Sequence, residues 1–187
     1  VAVILALIVA TPLGIWAAKS KRFSAIIKPI LDFMQTMPSL AYLVPVIVLF
    51  GIGQVPGAIA TIIFALPPGV RFTELGIRGV DAETVEAGAA FGASPRHILW
   101  RIQMPLAMPT VMAGVNQVIM LALSMVVLSG MVGAGGLGGD VVAALSQVDI
   151  GLGMEAGLAV VVVAVYLDRI TSGLANRTPL ARAQRAS

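Results

Sequence analysis

Long apolar runs alternate with short polar segments along this chain, and their spacing predicts a series of membrane-crossing helices. Residues 1–18 carry no charge until Lys19, and at about 1.5 Å of rise per residue such a run nearly spans a hydrocarbon core of about 30 Å. A second helix is expected over residues 24–50. Its first third is amphipathic and the rest apolar, and Pro38 and Pro45 lie inside it, so a bend is expected near Pro38. Lys28 and Asp32, four residues apart, are expected to pair along one face of that amphipathic part. The uncharged residues 51–56 read as a tight turn. A third span, residues 57–72, contains Pro67-Pro68, which withdraw two backbone donors that another helix or water must compensate. Arg71, Glu74 and Arg78 share one helical face at its end, and the expectation there is a solvated exit from the membrane. A fourth span covers residues 106–132 and a fifth residues 152–174. Between those two, glycine-rich residues 133–150 are expected to hold a short interfacial or re-entrant helix.

Residues 86–105, EAGAAFGASPRHILWRIQMP, interrupt this rhythm. They are polar yet helix-capable, more ordered than a membrane loop needs to be. Asp81 is a suitable N-cap for a helix through Phe91, with Glu83 in the first turn facing the positive end of the helix dipole. Gly92 is expected to end that helix. Ser94 then caps a second helix with Pro95 at its first position, Ile98, Leu99 and Ile102 form an apolar stripe, and Pro105 is expected to close it before the next span. The small residues Ala87, Gly88, Ala89 and Ala90 would let another protein approach closely, as a helix seated in a groove does.

Composition sharpens this reading. The chain is 58% hydrophobic and only 11% charged, with a mean hydropathy of +0.98, whereas soluble domains carry about 25% charge. An all-α, polytopic membrane protein with about five spans follows. Cysteine is absent and His97 is the single histidine, which excludes thiolate catalysis, disulfides and multi-histidine metal sites. Val1 lies inside an apolar run with no initiator Met and no basic leader, so the expectation is a chain that begins part-way into a longer protein and no signal peptide. Residues 1–175 are expected to form the membrane domain and residues 176–187 a tail.

The +3 formal charge reports orientation before it suggests nucleic acid as a partner. Lys19, Lys21, Arg22 and Lys28 flank the first connection, Arg71, Arg78, Arg96 and Arg101 the polar island, and Arg169, Arg177, Arg182 and Arg185 the last span. With five spans all 12 basic residues fall on one side. The island and the C-terminus are therefore expected in the cytoplasm, with Val1 near the outer face.

Glu86-Ala87-Gly88, then Gly92, then Ile102-Gln103-Met104-Pro105 resembles the EAA signature of importer-type ABC transporter permeases, in which EAA, three residues, G, nine residues and I-x-L-P recur. The spacing agrees at every anchor; Gly88 replaces Ala and Met104 replaces Leu, and Gly88 is expected to loosen the first helix. The segments QTMPSLAYLVPVIVLFGIGQVPG, IIFALPPGVRFT and AGVNQVIMLALSMVV resemble the permeases of glycine betaine and proline betaine uptake systems, a likeness that covers most of the chain. Choline and carnitine systems share much of the pattern.

The resemblance implies a type I importer permease fold in a prokaryotic plasma membrane. It implies a coupling helix on which Glu86, Ala87, Gly88, Gly92, Ala93, Ser94, Pro95, Ile102 and Pro105 meet a separate cytoplasmic ATPase. It also implies an extracytoplasmic binding protein and a second permease copy, identical or not. ATP would be used by the partner: this chain has no G-x-x-x-x-G-K-[ST] loop and is expected to bind no cofactor or metal.

Other features weigh less. Gly133, Gly135 and Gly138 match GxGxxG, but no strand precedes them. His97, Arg96 and Arg101 read as partner- or lipid-facing. Tyr42, Asn116, Gln117, Met120 and Ser124 are candidates for the translocation path, with interhelical hydrogen bonding the competing reading for the polar ones and packing for the methionines. Aromatic residues that could cage a quaternary ammonium do not cluster in the sequence, which places high-affinity recognition in the binding protein. The alternative function is a self-contained secondary transporter or channel. It is disfavoured because no ionisable residue is placed near the membrane midplane, where such groups are costly and kept for use. No nucleophile and base pair can be assembled around His97, so the chain is not expected to be an enzyme.

Overall fold

The computed structural model describes residues 1–176, and those residues are helical apart from short connections. The helices are α1 (Ala2–Lys19), α2 (Lys21–Thr36), α3 (Leu40–Phe50), α4 (Gln54–Arg78), α5 (Ala82–Ala90), α6 (Pro95–His97), a π-helical turn (Ile98–Gln103), α7 (Met104–Gly130), α8 (Gly136–Gln147) and α9 (Ile150–Asn176). Among the described residues four helical runs are long and apolar enough to cross a membrane, or five if the bent pair α2 and α3 is one broken span. Apart from Asn176, the expected tail of residues 176–187 lies outside the described residues, as do Arg177, Arg182 and Arg185.

The second span bends near Pro38 as expected, but further than a kink within one helix. In place of one helix over residues 24–50 the chain forms two helices at 96°. Pro38 disfavours helical backbone at the residue before it, and Met37 is accordingly extended (φ −72°, ψ 136°). Pro45 lies inside α3 without breaking it. The Ser20 hydroxyl, accepting from Phe23 N–H at 3.2 Å, starts α2. The tight turn at residues 51–56 is shorter than expected, because α4 already begins at Gln54. The short helix expected in the glycine-rich stretch is α8, packed against α7 and α9.

Helix α4 is the axis of the fold, packed along α1 on one side and α7 on the other. Lipid offers no hydrophobic drive between helices, so association depends on close backbone approach at small residues. A Cβ at Gly69 would lie 2.7 Å from Ala10 Cβ, one at Gly14 2.5 Å from Thr73 Cβ, and one at Gly114 2.4 Å from Phe72 Cβ. Pro67 and Pro68 are both buried, and the helix runs through them unbroken to Arg78. Tyr42, Leu43 and Val46 of α3 close one end of this core against Ala60 and Met125.

These contacts predict a sharp difference between two Gly→Ala variants. At Gly114 the new methyl meets Phe72 Cβ, which no rotamer change can move, so α4 and α7 must separate at a cost of about 1–3 kcal/mol. At Gly157 nothing lies within 4 Å, and the better helix propensity leaves stability unchanged or raised by up to about 1 kcal/mol. Thermal unfolding of the two purified variants in one detergent should give a lower midpoint for Gly114→Ala only.

Candidate functional site

The polar island is a folded structure with a defined stop and restart. Asp81 Oδ1 accepts from Glu83 N–H at 3.3 Å and opens α5. At the other end Ala93 N–H donates to Gly88 O (3.2 Å) and Gly92 N–H to Ala89 O (2.9 Å). This is a Schellman closure, which needs left-handed backbone at Gly92, where φ is +78°. Ser94 Oγ then accepts from His97 N–H at 3.3 Å, with Pro95 at the first position of the next helix.

Pro105 does not close that second helix. Residues Pro95–Gly130 form one continuous helical run of 36 residues. The six residues before Met104 widen into a π-helical turn, in which Met104 N–H reaches back to Leu99 O. A proline would otherwise press on the carbonyl four residues earlier, that of Arg101, and the wider turn relieves that clash. The helix can therefore pass through Pro105 into the fourth span.

The island is fixed to the bundle from below. Leu99 is 2% exposed, packed with Ile77, Ala107, Ile15 and Ala18, and Ile98 is buried beside it. Gly88 lies against the π-helical turn: a Cβ there would be 2.5 Å from Ile102 Cδ1. The glycine thus admits Ile102 and seats α5 on the turn, a role that its low helix propensity concealed. Ile102 and Ala93 are half-buried, whereas Glu86, Ala87, Gly92, Ser94, Pro95 and Pro105 are exposed. No residue of α5 is buried. Phe91, which the sequence reading passed over, caps α5 and is 92% exposed. Its signal was available: a large aromatic immediately before a helix-ending glycine, in a segment otherwise made of small and polar residues.

The charges beside the island also depart from the expected pattern. Glu74 is not at a solvated exit; it is 3% exposed. One of its oxygens, Oε1, accepts from Ser24 Oγ at 2.7 Å and lies 3.4 Å from Lys28 Nζ and 3.1 Å from Arg78 Nε. Arg78 Nη2 in turn donates to Ala17 O at the end of α1, at 2.8 Å. Helices α2 and α4 meet on this one carboxylate, and α1 joins them through Arg78. Lys28 and Asp32 do not pair with each other, because α2 lies across α4: Lys28 takes Glu74 and Asp32 takes Arg71.

The five candidate path residues separate into two groups. Tyr42 is 7% exposed; its hydroxyl donates to Met34 O and its ring packs on Phe64 at 5.6 Å, which ties α3 back to α2. Asn116 joins α7 to α9: its amide donates to Asp168 Oδ1 and Ser172 Oγ, each at 3.2 Å, and it accepts from the Thr171 hydroxyl. Gln117, Met120 and Ser124 lie along one exposed face of α7, with the Ser124 hydroxyl donating to Met120 O at 3.1 Å. Gln117 also lines a cavity of about 750 Å³ between α2, α4 and α7. Met125, by contrast, is fully buried in packing.

Comparison with known proteins follows from this geometry. The family model described as "Binding-protein-dependent transport system inner membrane component" matches residues 10–177. The chain is 53% identical over 173 residues to the glycine betaine/proline betaine transport system permease protein ProW of Escherichia coli K12, covering 92% of this chain and 49% of that one. It is 55% identical over 168 residues to the glycine betaine/carnitine transport permease protein GbuB of Listeria monocytogenes, covering 90% and 60%. It is 52% identical over 172 residues to the glycine betaine transport system permease protein OpuAB of Bacillus subtilis, covering 92% and 61%. The chain thus spans about half to three-fifths of the length of these relatives. Among solved structures, an inward-facing conformation of the MetNI methionine ABC transporter superposes with a TM-score of 0.84 at 18% identity, over 95% of this chain and 89% of that one. At that identity the likeness concerns the fold, and it agrees with the expected all-α permease architecture.

Two substitutions test the local geometry. Gly92→Val places a β-branched residue in left-handed backbone, at a cost of about 1–2 kcal/mol, and should unwind the end of α5; faster amide exchange at residues 88–93 with an unchanged bundle would register it. Glu74→Gln removes the charge that Lys28 and Arg78 share. Both partners can still reach water, so the expected loss is about 1–3 kcal/mol, read as a lower unfolding midpoint in detergent.

Proposed function

The chain belongs to the family of binding-protein-dependent transport system inner membrane components, and we propose that it forms the membrane path of an ATP-driven importer for a small compatible solute. Glycine betaine and proline betaine are the leading candidates, on the strength of the relatives above. The single observation that carries the coupling part of this reading is the island's construction. It is capped at both ends, plugged into the bundle by Leu99, and presents Glu86, Ala87 and Phe91 outward.

In this reading a separate cytoplasmic ATPase grips α5 and the turn through Gly92, Ala93, Ser94 and Pro95. Ile102 and Pro105 set the angle at which the docking helix meets the fourth span. An exposed aromatic in such a segment is the kind of side chain that fills a partner's pocket and dominates the binding energy. Because the island is packed against α4 and α7, a push on it moves those helices as a body and does not merely bend a loop. A binding protein delivers solute on the opposite side, where residues 51–56 and 133–150 carry no basic residue. A second permease copy, identical or related, covers the exposed face of α7 that holds Gln117, Met120 and Ser124. Lipid surrounds the rest, nucleic acid has no part, and the C-terminus lies in the cytoplasm with the island. ATP is hydrolysed by the partner, and this chain performs no chemistry.

Co-purification and coupling test this. Phe91→Ala should weaken capture of the ATPase by about 30-fold, the size of a hot-spot loss of about 2 kcal/mol, while the permease still inserts and unfolds normally. Glu86→Ala and Gly92→Val should leave ATP hydrolysis in the reconstituted complex no longer responsive to the loaded binding protein. Accumulation of solute by this chain alone in liposomes, driven by an ion gradient, would overturn the reading.

A further inference from the structure

The cavity between α2, α4 and α7 holds two ion pairs of different character. Glu74 is 3% exposed and already takes three donors on one oxygen. The Asp32–Arg71 pair is open: the Asp32 side chain is 61% exposed and that of Arg71 37%. Exposed pairs add little to stability and are easily parted. Arg71 is also poorly served by its partner. Asp32 meets it through Nη2, and Arg71 Nε is, among the described residues, the one enclosed side-chain donor without an acceptor. Phe72 adds an aromatic wall to the same cavity. Its position is set by Gly114, which leaves only enough room for Phe72 Cβ and the root of its ring. Lys28, Gln35, Arg78 and Gln117 add further polar groups to the lining.

We propose that the Asp32–Arg71 pair is an exchangeable placeholder for a small zwitterion in transit: the solute carboxylate takes Arg71, assisted by Lys28, and its cationic head takes Asp32 and the Phe72 face. The exchange leaves no charge unmatched. A guanidinium fork suits a carboxylate, and an aromatic face beside a carboxylate suits a quaternary ammonium. A solute with only a positive charge could replace Arg71 at Asp32 but would strand the guanidinium, and a simple anion would strand Asp32. The site therefore selects for carrying both charges on one small molecule, independently of any upstream binding protein. A volume of about 750 Å³ leaves room for water around such a solute, so binding is weak and release fast, as a transit site requires.

This inference rests on the importer reading and is tested separately from it. The permease–ATPase complex is placed in lipid nanodiscs without binding protein, and saturation-transfer NMR is recorded with glycine betaine and with choline as probes. Glycine betaine should show saturable binding, and choline binding about tenfold weaker, the discrimination expected of one charge-assisted contact. Arg71→Gln should remove the preference for glycine betaine by lowering its binding about tenfold, while choline, which no longer has to displace the guanidinium, binds as well as before or more tightly. The double reversal Asp32→Arg with Arg71→Asp rebuilds the pair and should restore the preference, which a purely structural pair would not do. Equal binding of the two probes, no binding of either, or an equal loss of both in Arg71→Gln overturns the zwitterion site. If ATP hydrolysis in the same nanodiscs still responds to a loaded binding protein, the importer reading survives that result; if it does not respond, that reading falls as well.

Discussion

Close backbone contact along α4 is the constraint from which the remaining structure follows. In a bilayer, apolar side chains gain nothing by leaving lipid for one another, so helices associate where small residues let backbones meet. Gly69 against Ala10, Gly14 against Thr73 and Gly114 against Phe72 bring α1 and α7 onto α4 closer than any added methyl would permit. That approach accommodates the buried Pro67-Pro68 pair within an unbroken helix. It also brings α1, α2 and α4 near enough for Glu74 to take Ser24 and Lys28 of α2 and Arg78 of α4, while Arg78 reaches Ala17 O of α1.

From Glu74 the chain leads directly to the proposed docking surface. Arg78, bound to both Glu74 and Ala17 O, is the last residue of α4, and after Gly79 and Val80 the Asp81 cap begins α5. On the return, Ile98 and Leu99 sink into the bundle before the fourth span starts. The island is thus held at both ends by the helices it is proposed to move. Its Schellman closure and Ser94 cap satisfy backbone groups that would otherwise be free at the bends, which gives the segment a defined shape. The same α4 residues, Glu74 and Arg78, also line the charged cavity, which Gln117 of α7 borders.

Legibility in the sequence varied with the range of the interaction. The caps at Asp81, Ser94 and Pro95 and the stop at Gly92 could be read directly, because each depends on residues within a few positions. The charges misled: Lys28 and Asp32 have ideal spacing for a pair within one helix, yet each found its partner on α4. Glu74 had the pattern of a surface residue and is buried. Pro105 resembled a terminator and is carried through by a π-helical turn. Gly88 resembled a weak point in α5, and in the fold it lies close against the end of the Ile102 side chain. Each of these depends on a neighbour more than ten residues away in the chain, or on a backbone adjustment that no local propensity reports.

By itself the sequence determined that this is a helical membrane protein, about where its spans lie, and that the polar island is capped at Asp81, Gly92 and Ser94. Those properties follow from hydropathy, charge and capping, all local or additive along the chain. The sequence placed a bend near Pro38, but the tertiary structure decided its 96° angle, the tie of α1, α2 and α4 through Glu74 and Arg78, and the division of the candidate path residues into interhelical ties and an exposed face. These depend on which helix lies against which and at what distance, a matter settled by the fit of small residues across α4 and by the cost of leaving a buried charge unpaired.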